Sequence, residues 1–180
     1  MNKKLTIILI IGAVLVAALA YLKMAPQGAL VKQDAPATSS NSGTLQDHLN
    51  TTQWKEYKTD DFSFRHSDSF KVTSVPNGDS EVITAEDDKF GFQMSIMPFD
   101  EAGPITKERI LKDVPDMEIN EPGRAKLDGV ETLIFYGANE DIGETFEAWL
   151  TYKGNLYQIM TGREEEKLLE KILDTWKWVK

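Results

Sequence analysis

The sequence predicts an α+β protein: an antiparallel sheet of about six to seven strands covered by helices, preceded by an N-terminal transmembrane helix. Three observations carry this expectation. Residues Leu5 to Leu22 are eighteen consecutive positions without a charge. Beyond Trp54, short stretches alternate strictly between apolar and polar residues, as strands with one buried face do. The chain then closes on an apolar stripe at helical spacing, Leu168, Leu169, Ile172, Leu173 and Trp176.

The apolar run comes first. At about 1.5 Å of rise per residue it would cover roughly 27 Å, close to the ~30 Å hydrocarbon core of a bilayer. Lys3 and Lys4 precede it, and Tyr21, Leu22 and Lys23 close it like the edge of a membrane span. Ala18-Leu19-Ala20 also offers a small-x-small cleavage site, so a secreted or periplasmic product cut near Ala20 is the alternative. The run is long for a signal peptide, and the retained anchor, residues 1–23, is the reading adopted. Lys3 and Lys4 on one side balance Lys23 and Lys32 on the other, so the flanks barely bias orientation. A short basic tail before a long domain fits a cytoplasmic N-terminus and an extracytoplasmic domain. The chain has no cysteine, which removes both disulfides and a lipid-modified cysteine.

Residues 24–49, mostly Ala, Pro, Ser, Gln and Gly, read as a flexible tether. Thr44 to Leu49 fits either a short helix or more tether, which puts His48 in or near it. Residues 50–180 then form a single globular domain. From position 50 onward there are 16 basic and 27 acidic residues, a net −11. That balance argues against nucleic acid and against a domain lying flat on an anionic membrane.

Within the domain, Phe70 to Val75 and Glu81 to Ala85 form a hairpin across Pro76-Asn77-Gly78-Asp79. Phe90, Phe92, Met94 and Ile96 mark the clearest strand. Thr106 caps a short helix carrying Ile110, Leu111 and Val114, and Pro115 stops it. Val130 to Tyr136, apolar on both faces, predicts a central strand covered on both sides. Phe146, Ala148, Leu150 and Tyr152 alternate with Thr145, Glu147 and Thr151, which face away. A tight turn at Gly154-Asn155 leads into Leu156 to Thr161. Thr161 to Glu164 has the spacing of a capping box for the final helix. The order is four strands, a helix, about three strands and a helix, which an antiparallel sheet covered by helices accommodates.

The segment Asp61-Phe62-Ser63-Phe64-Arg65-His66-Ser67-Asp68-Ser69-Phe70 resembles the opening of the PsbP-like family, whose fold is shared with a Ran-binding nuclear import factor. Phe62-Ser63-Phe64 and Phe70 stand where that family places an aromatic-Ser-aromatic strand and a following aromatic. His66-Ser67 replaces its usual Tyr-Pro, and Asp61 its common glycine. The resemblance spans about 54–180. It implies an α/β/α sandwich used as a binding or accessory module, and it transfers no ligand set to positions here.

Candidate chemistry is sparse. His66 and Asp68, two apart at a strand end, could share a face and work as an acid–base pair. No G-x-S-x-G motif supplies a nucleophile. The acidic pairs at predicted turns lack the spacing of a calcium loop, and two histidines without cysteine do not suit zinc. No catalytic residue, cofactor or metal ligand is assigned. Met97 and Phe99 fall on the far face of their strand, ahead of Asp100 and Glu101. If that face is uncovered, Met97, Phe99, Asp100 and Glu101 form a partner-contact loop, with His66 and Asp68 as further contact candidates.

The expected function is a membrane-tethered extracytoplasmic binding or accessory domain without catalysis. Its partners are the membrane, through Leu5–Leu22, and a protein of the cell envelope. Two alternatives are an anchored or secreted hydrolase using His66 and acidic residues, and an acidic cation-binding domain.

Overall fold

A computed structural model of the chain describes residues 44–179. The apolar run at Leu5–Leu22 and most of the expected tether lie outside these residues. Among the described residues no helix is long and apolar enough to cross a membrane.

The chain opens with helix α1 (Leu45–Asn50), followed by strands β1 (Trp54–Lys58) and β2 (Phe62–Ser67). Strands β3 (Lys71–Asn77), β4 (Ser80–Glu86) and β5 (Gly91–Pro98) precede helix α2 (Lys107–Asp113). Then come β6 (Asn120–Leu127), β7 (Val130–Asn139), β8 (Gly143–Tyr152) and β9 (Asn155–Gly162). A 3-10 turn (Arg163–Glu165) leads into helix α3 (Glu166–Leu173), and β10 (Lys177–Trp178) ends the fold. Strands β3-β4-β5-β9-β8-β7-β6 form one antiparallel sheet, and β1-β2-β10 form a smaller one.

Register sorts the side chains of the large sheet onto two faces. Ile83, Met94, Ile159 and Ala148 sit level across β4, β5, β9 and β8. With Ala85, Phe92, Tyr157, Phe146 and Leu150 they build the main core against Leu168, Leu169 and Ile172 of α3 and against Phe62 and Phe64 of β2. The opposite face carries a separate buried group, Met97, Leu133, Phe135, Trp149 and Leu156. Ile105, Ile110 and Ile119, on and beside α2, are buried with it. Two side chains of that face fasten the covering segment: Arg124 donates to the carbonyl of Ile105 (2.7 Å) and Thr151 to that of Gly103 (2.5 Å). The layers are therefore helix with small sheet, large sheet, helix.

Several expectations are refined by this packing. Thr106 caps α2 as predicted, accepting from the N–H of Arg109. The capping box at Thr161 does not form. Its hydroxyl instead donates to the carbonyl of Gly91 (2.7 Å), and α3 starts after the 3-10 turn. Trp176 lies past the end of α3 rather than on its stripe, and is buried in the turn that leads to β10. The β8–β9 turn is Lys153-Gly154, both at positive φ (48° and 78°), so Asn155 is already paired with Tyr152. Strand β7 stands one place in from the edge, beside β6, which has no apolar alternation to announce it.

Thr145 and Glu147 face away from the main core but are not solvated. Glu147 is 6% exposed. Its carboxylate accepts from the Thr145 hydroxyl (2.8 Å) and the Trp149 indole (2.8 Å). It lies over Gly137, where a Cβ would come within 2.5 Å of its Oε1, so a larger residue there would have to displace the carboxylate. Burial pushes this carboxyl above the ordinary value of 4.5, and the two donated hydrogen bonds oppose the shift. The fold thus favours the protonated acid. That preference stabilises it fully below about 4.5 and is lost as pH rises through the raised value. Glu147→Gln should melt higher than the parent at about pH 8, by several degrees, and converge with it near pH 4. A gap that stays constant over this range would show that ionising Glu147 costs nothing.

Candidate functional site

His66 continues the row Phe62, Phe64 along β2, pointing into the body of the domain. It is 5% exposed, with its ring 6.1 Å from that of Phe64. Nδ1 lies 2.8 Å from the carbonyl oxygen of Ser67, which assigns it the proton of the neutral imidazole. Burial holds the ring below its ordinary 6.5, against the pull of that hydrogen bond. Asp68 lies past the end of β2, and its charge is the least of the influences on the ring. The chain turns there, with the N–H of Phe70 donating to the carbonyl of Ser67 (3.1 Å), and the i, i+2 relation of a strand ends. The two side chains share no hydrogen bond, and neither of the two best-formed grooves among the described residues reaches His66.

The Met97–Glu101 stretch is engaged within the domain. Met97 is buried where the α2 segment covers its face, so the uncovered face that a contact loop required is closed at that residue. The Arg109 guanidinium sits over the Phe99 ring at 5.0 Å. It also approaches Glu101 (2.7 Å), Asp100 (3.6 Å) and Asp113. One cation on α2 thus gathers three carboxylates and an aromatic face, which pins the loop after β5.

Sequence reasoning missed a third group. His48, placed in or near the tether, is 5% exposed on the inner face of α1. Its ring is wedged between Phe70 (5.3 Å) and Phe90 (5.2 Å). Nε2 lies 3.1 Å from Asp87 Oδ2, an ion-pair distance without hydrogen-bond alignment, and Nδ1 lies 3.4 Å from Ser67 Oγ. Ser67 Oγ is 2.9 Å from Ser69 Oγ, which reaches Asp87 Oδ2 at 3.4 Å and closes the ring. The residue types are those of a hydrolase triad. The setting is not: Ser67 is 2% exposed, and neither of the two best-formed grooves among the described residues reaches it. A nucleophile needs room for a substrate carbonyl and donors for its oxyanion. This closed ring locks α1 to the body. Thr44 followed by Asp47 was the available signal, because their reciprocal bonds (2.6 and 3.3 Å) make the capping box that starts α1. That start puts Leu45, His48 and Leu49 on one face.

A concave feature with an apolar floor lies elsewhere. A groove of about 430 Å³ runs between the end of α3 and strands β6–β8. Leu127, Ile134, Phe146, Leu173 and Trp176 line it, and Lys126, Asp128, Glu170 and Lys177 stand around it. The Trp176 indole N–H is buried without an acceptor among the described residues. Also among them, no three His, Asp or Glu side chains converge as a metal site would require.

No protein-family model matches the chain, and no curated protein matches it. Its fold does match a solved structure. The solution structure of cyanobacterial PsbP (CyanoP) from Synechocystis sp. PCC 6803 superposes with a TM-score of 0.52. It is 12% identical, and the match covers 86% of this chain and 99% of that one. The fold is therefore PsbP-like, as the Phe62-Ser63-Phe64 strand suggested.

Two outcomes follow from the buried histidines. His48→Ala should destabilise the domain by about 2–4 kcal/mol, as emptying a buried aromatic site does, while Ser67→Ala should cost about 1 kcal/mol. Denaturant unfolding measures both, and a near-neutral His48→Ala would mean that α1 is not locked. The His66 ring, followed by NMR, should titrate below 6.5, and a midpoint at or above that value would show that burial does not control the ring.

Proposed function

We propose that this chain is an accessory domain, tethered to a membrane by Leu5–Leu22 and held on the extracytoplasmic side, that binds another envelope component without catalysis. The observation that carries the reading is the PsbP-like fold in a chain whose His48, Ser67 and Asp87 assembly is sealed. The net −11 of residues 50–180 supports a domain that stays in the aqueous phase beside an anionic membrane. The residues after Lys23, rich in Ala, Pro, Ser and Gln, would give it reach. About twenty such residues span roughly 25 Å on average.

Cross-linking of the full-length protein in its native membrane, followed by identification of the captured proteins, tests this. A reproducible envelope neighbour is the expected result. The whole chain should remain in the membrane fraction after a high-salt wash, since an apolar span is not released by screening charge. Recovery only in the soluble fraction would overturn the tether. Capture of nothing but abundant bystanders would overturn the accessory role.

A further inference from the structure

The large sheet ends in two edges, β3 and β6, each with one proline near an end, and only β6 borders a groove lined by its own side chains among the two best-formed grooves of the described residues. In a two-residue hairpin the closing pair is hydrogen-bonded in both directions, and pairing alternates from there along the strands. Strand β3 closes at Asn77 and Ser80, so the main-chain groups of Val72, Ser74 and Pro76 point outward. Pro76 has no N–H to offer, which blocks that edge near its tip. Strand β6 closes at Leu127 and Val130 across Asp128-Gly129, both at positive φ (45° and 89°). Gly123, Ala125 and Leu127 therefore bond to β7, and the N–H and C=O of Arg124 and Lys126 face away from the sheet. Pro122 and the register shift between Asn120 and Gly123 guard only the start of this strand. Arg124, Ala125 and Lys126 are all exposed.

The groove lies directly beside this open edge. Ala125 lines it with Leu127, Ile134, Leu173 and Trp176. A strand laid against β6 would place every second side chain next to Ala125, over that apolar floor. Its alternate side chains would stand beside Arg124 and Lys126 on the other face. Charge then selects among occupants. Two copies pairing β6 to β6 would bring their Arg124 and Lys126 side chains together on one face, which is unfavourable. The segment of this chain before Thr44 holds a single acidic residue, Asp34. An apolar residue flanked by two carboxylates satisfies both faces at once.

We propose that β6 takes up an extended segment of a partner protein by strand addition, with an apolar side chain in the groove and flanking carboxylates beside Arg124 and Lys126. This names the kind of segment the accessory domain holds, and so rests on that reading. Full-length protein in detergent micelles is titrated with an end-blocked peptide of alternating Glu and Val, and with its Lys–Val counterpart. The Glu peptide should bind at least tenfold more tightly, and should slow hydrogen exchange at the amides of Arg124 and Lys126. Lys126→Pro removes an outward N–H without breaking a bond to β7, and should weaken binding about tenfold or more, a loss of at least ~1.4 kcal/mol. No binding at about 1 mM, protection elsewhere than β6, or unchanged affinity in Lys126→Pro would overturn the proposal. Should that variant fail to fold, amide protection in the parent protein decides. Failure here leaves the captured envelope neighbour standing, whereas failure of the cross-linking removes the accessory role itself.

Discussion

The aromatic stack between β2 and the segment after α3 is the contact on which the rest of the domain depends. Phe62 lies face to face with Trp176 at 4.6 Å and 14°, and Phe64 stacks on the same indole at 5.5 Å and 15°. Trp178 closes the group edge-on to Phe62 and Trp176. Each such pair adds about 0.5–1.5 kcal/mol to the area it buries. These contacts tie the start of the domain to its end. They hold β10 against β2, dock the small sheet on the large one, and set the end of α3 beside β6 and β7. The groove exists because Trp176 stops there: the small sheet and α3 cover β5, β9 and β8 and leave the β6 side open.

The two faces of the large sheet solve different problems. One meets α3 and the small sheet through aromatic and aliphatic packing, with the Trp176 indole N–H left without an acceptor among the described residues. The other is covered by a thin segment around α2 that relies on polar fastenings. Arg109, Arg124, Lys107 and Thr151 each secure part of it to carboxylates or carbonyls. Glu147 belongs to this second face, and its two donors spare it the full cost of a lone buried carboxylate. The lock formed by His48, Ser67, Ser69 and Asp87 serves the same end at α1. A helix of six residues is too short to hold itself, so buried contacts must hold it.

Strands with one dry face and one wetter face were legible in the sequence, because alternation at a period of two records burial directly. Phe92, Met94, Phe146, Ala148 and Leu150 are core residues for the reason their spacing suggests. Strand β6 was invisible because an edge strand half in water needs no apolar pattern. Thr161 looked like a cap because the spacing was right, but the neighbouring carbonyl of Gly91 outcompeted the helix for its hydroxyl. At the candidate sites, His66 and Asp68 are two apart in the chain, and a turn begins between them. His48 and Asp87, far apart in the chain, were brought together by the packing of α1 on the core.

By itself, then, the sequence determined the strand pattern, the capped α2, the acidic balance of the domain and the aromatic residues that seed its core. Each of these is local, or additive over composition. Only the tertiary structure decided that Trp176 stacks on Phe62, that Glu147 is buried over Gly137, that His48 is sealed with Ser67, and that the edge strand β6 borders a groove. Those outcomes depend on which distant strands become neighbours and in what register. A shift of one residue in the register of their strands would have turned Phe62 and Glu147 to the other face.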